Sequence, residues 1–289
     1  MTCALIWGTT WFAIRRCIGD GGYPTFGAAS VRFAIGAALI GVLYALGWGR
    51  PGPRRGRQLG AVVLGGLLSA TSFGLVYAAE QSISGGTAAV LYGTFPLCTA
   101  VLARVAGVET IKPRALAGSA VALVGIAILF ADRIQVSRAQ GVGVLLVLAS
   151  VVVSSLYTTI LKQRASDVNP LATTGVFLAT SSVALGIFAA CVDRRPLPWP
   201  PPAGPTVALL YLALVGSVVV FAAYFYLLKR VTLMTISTLV LLEPIIALVV
   251  DAVGEREVVL VPRTYAGMAV TIAGVAVSIV TPAARRVSK

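Results

Sequence analysis

The sequence predicts an all-α integral membrane protein whose ten transmembrane helices form two inverted five-helix repeats. Three observations carry this. With 58% hydrophobic and 11% charged residues over 289 positions, the chain has too little polar surface to stay in water as a globule. Its apolar residues fall into ten segments, most of them near the ~20-residue length that spans a bilayer. And the chain states one pattern twice. Pro113-Arg114-Ala115-Leu116-Ala117-Gly118 is echoed by Pro262-Arg263-Thr264-Tyr265-Ala266-Gly267, and Gly125-Ile126-Ala127 then falls opposite Gly274-Val275-Ala276. At the same offset, Thr9-Thr10 and Arg15 stand opposite Thr158-Thr159 and Arg164.

In order, the segments are Thr2–Cys17, Thr25–Leu46, Gln58–Ala79, Gly85–Val105, Pro113–Ala131, Gly141–Leu161, Leu171–Val192, Pro205–Leu228, Leu233–Val253 and Pro262–Thr281. The first is short and meets Arg15 early. A secretory signal would be basic first and apolar afterwards, so this one reads as a genuine first helix that lacks N-terminal turns in this sequence. The longest breaks, Gly47–Arg57 and Arg194–Pro205, are rich in Gly, Pro and Arg and too short to fold alone. The repeats therefore divide at 1–140 and 141–289. Five helices per repeat is an odd number, so the second copy enters the bilayer upside down, and the binding cavity is expected between the halves near the midplane.

Net charge is +13, yet the basic residues sit in short loops and at the C-terminus rather than on one polar face. This is the positive-inside pattern, not a nucleic-acid surface. Fourteen Lys and Arg fall on the side that holds both termini, among them Arg54, Arg55, Lys112, Lys162 and Arg285, against eight on the other, among them Arg133, Arg194 and Arg256. A multi-pass cell-membrane protein with both termini cytoplasmic follows. Cys3, Cys17, Cys98 and Cys191 have no metal spacing and the chain has no histidine, so neither a metal nor any other cofactor is expected.

Pro96 cannot donate to the carbonyl of Tyr92, nor Pro244 to that of Val240, so both helices should kink and free an acceptor at mid-membrane depth. Glu243 is the acid buried deepest in an apolar segment. A carboxylate there costs on the order of 3 kcal/mol and must be paired, hydrated or protonated. It reads either as a proton-titrating or substrate-amine-binding group, or as a structural acid held by hydroxyls or a basic residue. Arg32, two turns into the second helix, reads as a structural charge that snorkels to the helix end, or as a carboxylate fork. Trp7, Thr10 and Trp11 share nearly one helical face. With Tyr77, Tyr92, Tyr157 and Tyr224 they either line a substrate cavity or pack as core and interfacial anchors. The Gly118, Ala122, Gly125 stripe and its Gly267, Thr271, Gly274 counterpart allow close helix approach, as scaffold contacts or as a homo-oligomer seam.

The chain resembles the drug/metabolite transporter superfamily, in particular its ten-helix EamA type, over essentially its whole length. The resemblance rests on Trp7-Gly8, on Pro24 followed by Arg32, on Pro96 and Glu243-Pro244, and on an acid-then-glycine close of each repeat. That close runs from Glu109 to Gly118 in the first half. In the second, either Glu255 or Glu257 takes the acid's place. The resemblance implies a secondary transporter in the lipid bilayer that exports small molecules such as amino acids or amphiphilic drug-like compounds by alternating access. The competing classes are a membrane-embedded enzyme and a non-transporting scaffold or sensor. Against the first stand the missing histidine and the lack of two facing aspartates, and against the second the lack of a large extramembrane segment. No phosphate-cradling glycine loop with its lysine points to ATP.

The charge bias is tested by single cysteines placed in a cysteine-free background. In intact cells an impermeant thiol reagent should label position 199 and leave position 55 unlabelled, and the reverse pattern would overturn the orientation.

Overall fold

In the computed structural model the described residues are 2–19, 21–48, 52, 56–83, 85–110, 112–130, 140–254 and 261–279. Glu255 and Glu257, and with them the second repeat's closing acid, lie outside these residues. Helices run through almost all of the described chain, with α1 at Thr2–Ile18, α2 at Thr25–Ala45, α3 at Gly56–Ala79 and α4 at Gly85–Tyr92. After α4 come α5 (Phe95–Val105), α6 (Pro113–Phe130), α7 (Gly141–Ala165) and α8 (Pro170–Val192). The remainder is α9 (Ala203–Ala213), α10 (Val220–Arg230), α11 (Leu233–Leu239), α12 (Glu243–Gly254) and α13 (Pro262–Ile279).

Six stretches among the described residues are long and apolar enough to cross a bilayer, with two shorter apolar helices at Val90–Val105 and Pro113–Leu129. Large apolar side chains such as Leu5, Val101, Val124, Leu145, Val183 and Val207 point outward, the exposure expected of a surface that meets lipid tails. The protein is an all-α, multi-pass membrane protein.

Three helical runs depart from α geometry. The Gly85–Val105 run breaks at Gly93-Thr94 immediately before Phe95-Pro96, and the break closes through Gly93 N–H to Val90 O and Thr94 N–H to Leu91 O. The run that starts at Leu233 narrows to a 3₁₀ turn over Val240–Leu242, in which the carbonyl that Pro244 cannot reach, Val240 O, takes the Glu243 N–H. Both runs expected to kink at proline are interrupted just before it, but Val240 O is not left free as the sequence suggested, because the 3₁₀ turn occupies it. The third departure was not legible. Between α9 and α10 the helix widens to a π-turn at Leu214–Val219.

Turns gather at the two ends of the bundle, and polar side chains tie them. At one end Asp193 accepts from Gly27 N–H (2.7 Å) at the start of α2, and Tyr23 and Thr206 hydroxyls meet at 2.7 Å. At the other, Glu109 accepts from Leu233 N–H (2.8 Å) at the start of α11, and Lys162 donates to the Leu228 and Val231 carbonyls at the end of α10 (2.7 and 2.8 Å). Carboxylates at helix starts and an ammonium at a helix end satisfy groups that have no intrahelical partner. Glu109, the closing acid of the first half, thus serves as a cap for a helix of the second.

The two glycine stripes face each other within one chain, because α6 packs along α13. A Cβ on Gly274 would sit 2.3 Å from Ala122 N and 2.7 Å from Gly118 O, and one on Gly125 would sit 2.4 Å from Thr271 N. This corrects the homo-oligomer reading of these stripes. Their small residues are consumed by an internal seam and are not presented to a second copy.

The seam makes a direct prediction. Since the atoms around Gly274 are backbone and cannot swing aside, Gly274→Ala should lose about 3 kcal/mol of stability. Gly41→Ala, which meets nothing within 4 Å, should be neutral or stabilising. Thermal unfolding in detergent micelles compares them, and equal effects would mean the seam is looser than described.

Candidate functional site

A cavity opens at the centre of the bundle, where both proline-linked breaks meet α1. Its lining draws on both halves: Trp7, Thr10, Trp11 and Ile14 of α1, Ser72, Phe73 and Val76 of α3, Tyr92, Phe95, Tyr157 and Thr158, Phe221 and Tyr224 of α10, and Ile236, Val240 and Glu243. Gly8 explains how α1 comes so close to α12. A Cβ there would lie 2.5 Å from Ile246 Cβ and 3.2 Å from Glu243 O, so only glycine lets Trp7 and Trp11 flank the acid.

The rings form two groups. Trp7 stands edge-on to Tyr224 and Phe221, at centroid distances of 5.6 and 6.3 Å. Trp11 stands edge-on to Tyr92 at 6.3 Å, and Tyr92 stacks on Phe95 at 5.8 Å. Such T-shaped and stacked pairs hold the ring faces in fixed directions.

Hydroxyls occupy the spaces between the rings. Thr10 donates to the Trp7 carbonyl at 2.6 Å, Tyr224 to Thr158 at 2.9 Å and Tyr92 to Ser154 at 2.7 Å. Ser72 links onward to Ser150 (2.7 Å) and Ser154 (2.6 Å), so one wall is the end of a buried hydrogen-bonded chain. Glu243 is 6% exposed and faces this space. Trp11 Nε1 is buried beside it and turned to its carboxyl, with no hydrogen bond to any other described residue. No Lys or Arg is among the cavity's described lining residues.

Of the residues singled out from sequence, Trp7, Thr10, Trp11, Tyr92, Tyr157, Tyr224 and Glu243 come together here, at the Pro96 and Pro244 kinks. Tyr77 does not. It lies one turn beyond Phe73 in α3, 1% exposed, and fills space beside Arg32. Arg32 itself corrects the snorkelling expectation, being 1% exposed and turned inward. Its guanidinium donates to Gly216 O (2.6 Å) and Ser217 Oγ (2.9 Å) of the π-turn and lies over the Phe33 and Phe73 rings at 5.1 and 5.5 Å. The widened turn turns the Gly216 carbonyl toward it. Arg32 is therefore a structural charge, held away from the cavity as a bracket between α2 and the α9–α10 run.

Ser72, Phe73, Phe95, Thr158 and Phe221 also line the cavity. A signal existed for Thr158, which stands opposite Thr9 in the repeat, and for Phe95, which precedes Pro96 as Glu243 precedes Pro244. Phe73 and Phe221 were not singled out from sequence.

A multi-helix membrane protein with an acidic, aromatic-walled central cavity is the class that fold and site define. Within it, the EamA-like transporter family matches the chain twice, over residues 1–131 and 141–280. The chain belongs to that family. The "Uncharacterized inner membrane transporter YedA" of Escherichia coli (strain K12) is 32% identical over 251 residues, covering 84% of this chain and 77% of that protein. Its namesake in Escherichia coli O157:H7 matches equally. A crystal structure 20% identical in sequence superposes with a TM-score of 0.79, over 96% of this chain and 94% of that one, and shares the fold.

Cavity wall and bracket should respond differently to truncation. Arg32→Ala strands Gly216 O and Ser217 and should lower stability by about 3 kcal/mol, since hydrogen bonds to charged groups contribute roughly 1.5–3 kcal/mol each. Trp11→Ala should leave the amount of folded protein within about twofold while it reduces ligand binding or flux tenfold or more. Equal loss of folded protein in both would show that Trp11 is core rather than wall.

Proposed function

We propose that the protein is a secondary transporter that exports small, mostly apolar metabolites or drug-like compounds across a bacterial-type inner membrane. The halves 1–140 and 141–289 act as inverted repeats and expose the central cavity alternately to each side. The double match to the EamA-like family and the YedA relative, named as an inner membrane transporter, support this reading. The observation that carries it is the cavity itself, which joins an intramembrane carboxylate to aromatic and hydroxyl walls drawn from both halves. Such residues are costly in hydrocarbon, and their convergence on one space suits a solute site better than a packing contact.

Glu243 is the coupling group in this reading. It sits where α12 begins after the 3₁₀ turn, so a change in that turn alters which side the carboxyl faces. Proton entry from outside would then accompany solute exit.

Purified protein in liposomes, loaded with a panel of labelled metabolites, tests both steps. At least one compound should move, and an imposed pH gradient should raise its rate several-fold in the wild type. Glu243→Gln should abolish the gradient-dependent part. Full gradient-driven flux in that variant would make Glu243 a structural acid beside Pro244.

A further inference from the structure

The cavity's polar groups are one-sided, and this bears on which solutes it can hold. Among the described residues, the basic side chains lie outside the cavity lining. Arg32, the intramembrane base, donates from Nε and Nη2 to Ser217 Oγ and Gly216 O, lies over Phe33 and Phe73 and keeps its Nη1 buried beside Tyr77, outside the cavity lining. No Lys or Arg is among the described lining residues.

Hydroxyls do not substitute for the missing base. Of the lining hydroxyls, Thr10, Tyr92 and Tyr224 give their hydrogens to the protein, to Trp7 O, Ser154 Oγ and Thr158 Oγ1 respectively, and turn lone pairs to a ligand. Ser72 is engaged with Ser150 and Ser154, and Thr158, the acceptor of Tyr224, offers a neutral hydroxyl that does not offset a carboxylate's charge. Three backbone amides at the two helix breaks are also taken. Gly93 and Thr94 N–H close on Val90 and Leu91 carbonyls, Pro96 has none, and Glu243 N–H is held by Val240 O. The remaining donor, Trp11 Nε1, is turned to the Glu243 carboxyl, where a second carboxylate would meet like charge whenever Glu243 is ionised.

The groups that do face inward suit a cation. Glu243 supplies a carboxylate, the hydroxyl oxygens accept N–H bonds, and Trp7, Trp11, Tyr92, Phe95, Phe221 and Tyr224 offer ring faces and apolar contact. We infer that the solute is a monovalent organic cation, a protonated amine on an aromatic or branched apolar body that carries no carboxylate. This selects among the compounds proposed above. It favours amines and cationic amphiphiles and removes amino acids, whose carboxylate would have no partner. The flux arm of the test below rests on the transport reading, whereas the binding arm does not.

The test compares four probes of one shape on the purified full chain in lipid nanodiscs: phenethylamine, phenylalanine, 3-phenylpropionate and 2-phenylethanol. Radiolabelled phenethylamine is the tracer and the others compete. Phenethylamine should bind at least tenfold more tightly than 2-phenylethanol, which isolates the contribution of the charge. Phenylalanine and 3-phenylpropionate should compete at least tenfold more weakly still. Glu243→Gln should cost phenethylamine tenfold or more, while Glu243→Asp should keep part of the preference. Because the probe series is read on the unaltered protein, a variant that fails to fold does not remove the test. Phenylalanine or 3-phenylpropionate binding as well as phenethylamine would overturn the inference, as would equal binding of the alcohol. The same probes are then followed in proteoliposomes. Amine binding without flux would sink the transport reading and keep the amine site, whereas flux of phenylalanine without amine binding would do the reverse.

Discussion

Hydrocarbon offers no hydrogen bonds, so every backbone group at membrane depth must find its partner within the protein. Each irregularity in this fold is shaped by that requirement. At Val240–Leu242 the carbonyl freed by Pro244 is taken by a 3₁₀ bond. At Leu214–Val219 the widened turn leaves Gly216 O to be met by the Arg32 guanidinium. The break at Gly93-Thr94 closes on the preceding turn. An interruption closed in this way can bend a helix and present side chains without exposing bare amides. That is how Tyr92, Phe95, Val240 and Glu243 reach the same space as α1.

The same rule gives the charged residues a second use besides setting orientation. Asp193 of the second half caps α2 of the first, and Glu109 of the first half caps α11 of the second, at opposite ends of the bundle. Lys162 closes the end of α10. These contacts join parts of the chain far apart in sequence, and the two carboxylates each couple one half to a helix start of the other, while Lys162 ties two helices of the second half.

The helices were legible in the sequence because a bilayer fixes their length and Pro, Gly and charge mark their ends. The places where two of the runs are interrupted were legible because a proline removes an intrahelical donor. The direction in which each side chain points was much less so. An amphipathic helix of a soluble protein shows which side faces inward by contrast with its polar side, but a membrane helix with few charges gives little such contrast. Tyr77 was singled out on α3 and packs beside Arg32, whereas Phe73 of the same helix and Phe221 of α10 were not singled out and line the cavity. Arg32 was misread for a related reason. Its distance from the helix end permitted an outward reach, and only the π-turn across the bundle, in a run with no proline at that point, shows why it turns inward. The glycine stripes were recognisable as close-approach surfaces, but spacing alone could not name the partner helix.

That partner is the last described helix, which has a consequence for how the protein is made. The face of α6 at Gly118 and Gly125 is completed only by Gly267 and Gly274 of α13, and all the elements from α7 to α12 are synthesised in between. At ribosomal speeds of about 5–20 residues per second, α6 waits on the order of ten seconds for its neighbour. Throughout that interval its bare backbone faces lipid or the insertion machinery. A chain cut short before α13 keeps that face uncovered, a surface by which membrane proteases and chaperones could tell an unfinished molecule from a finished one.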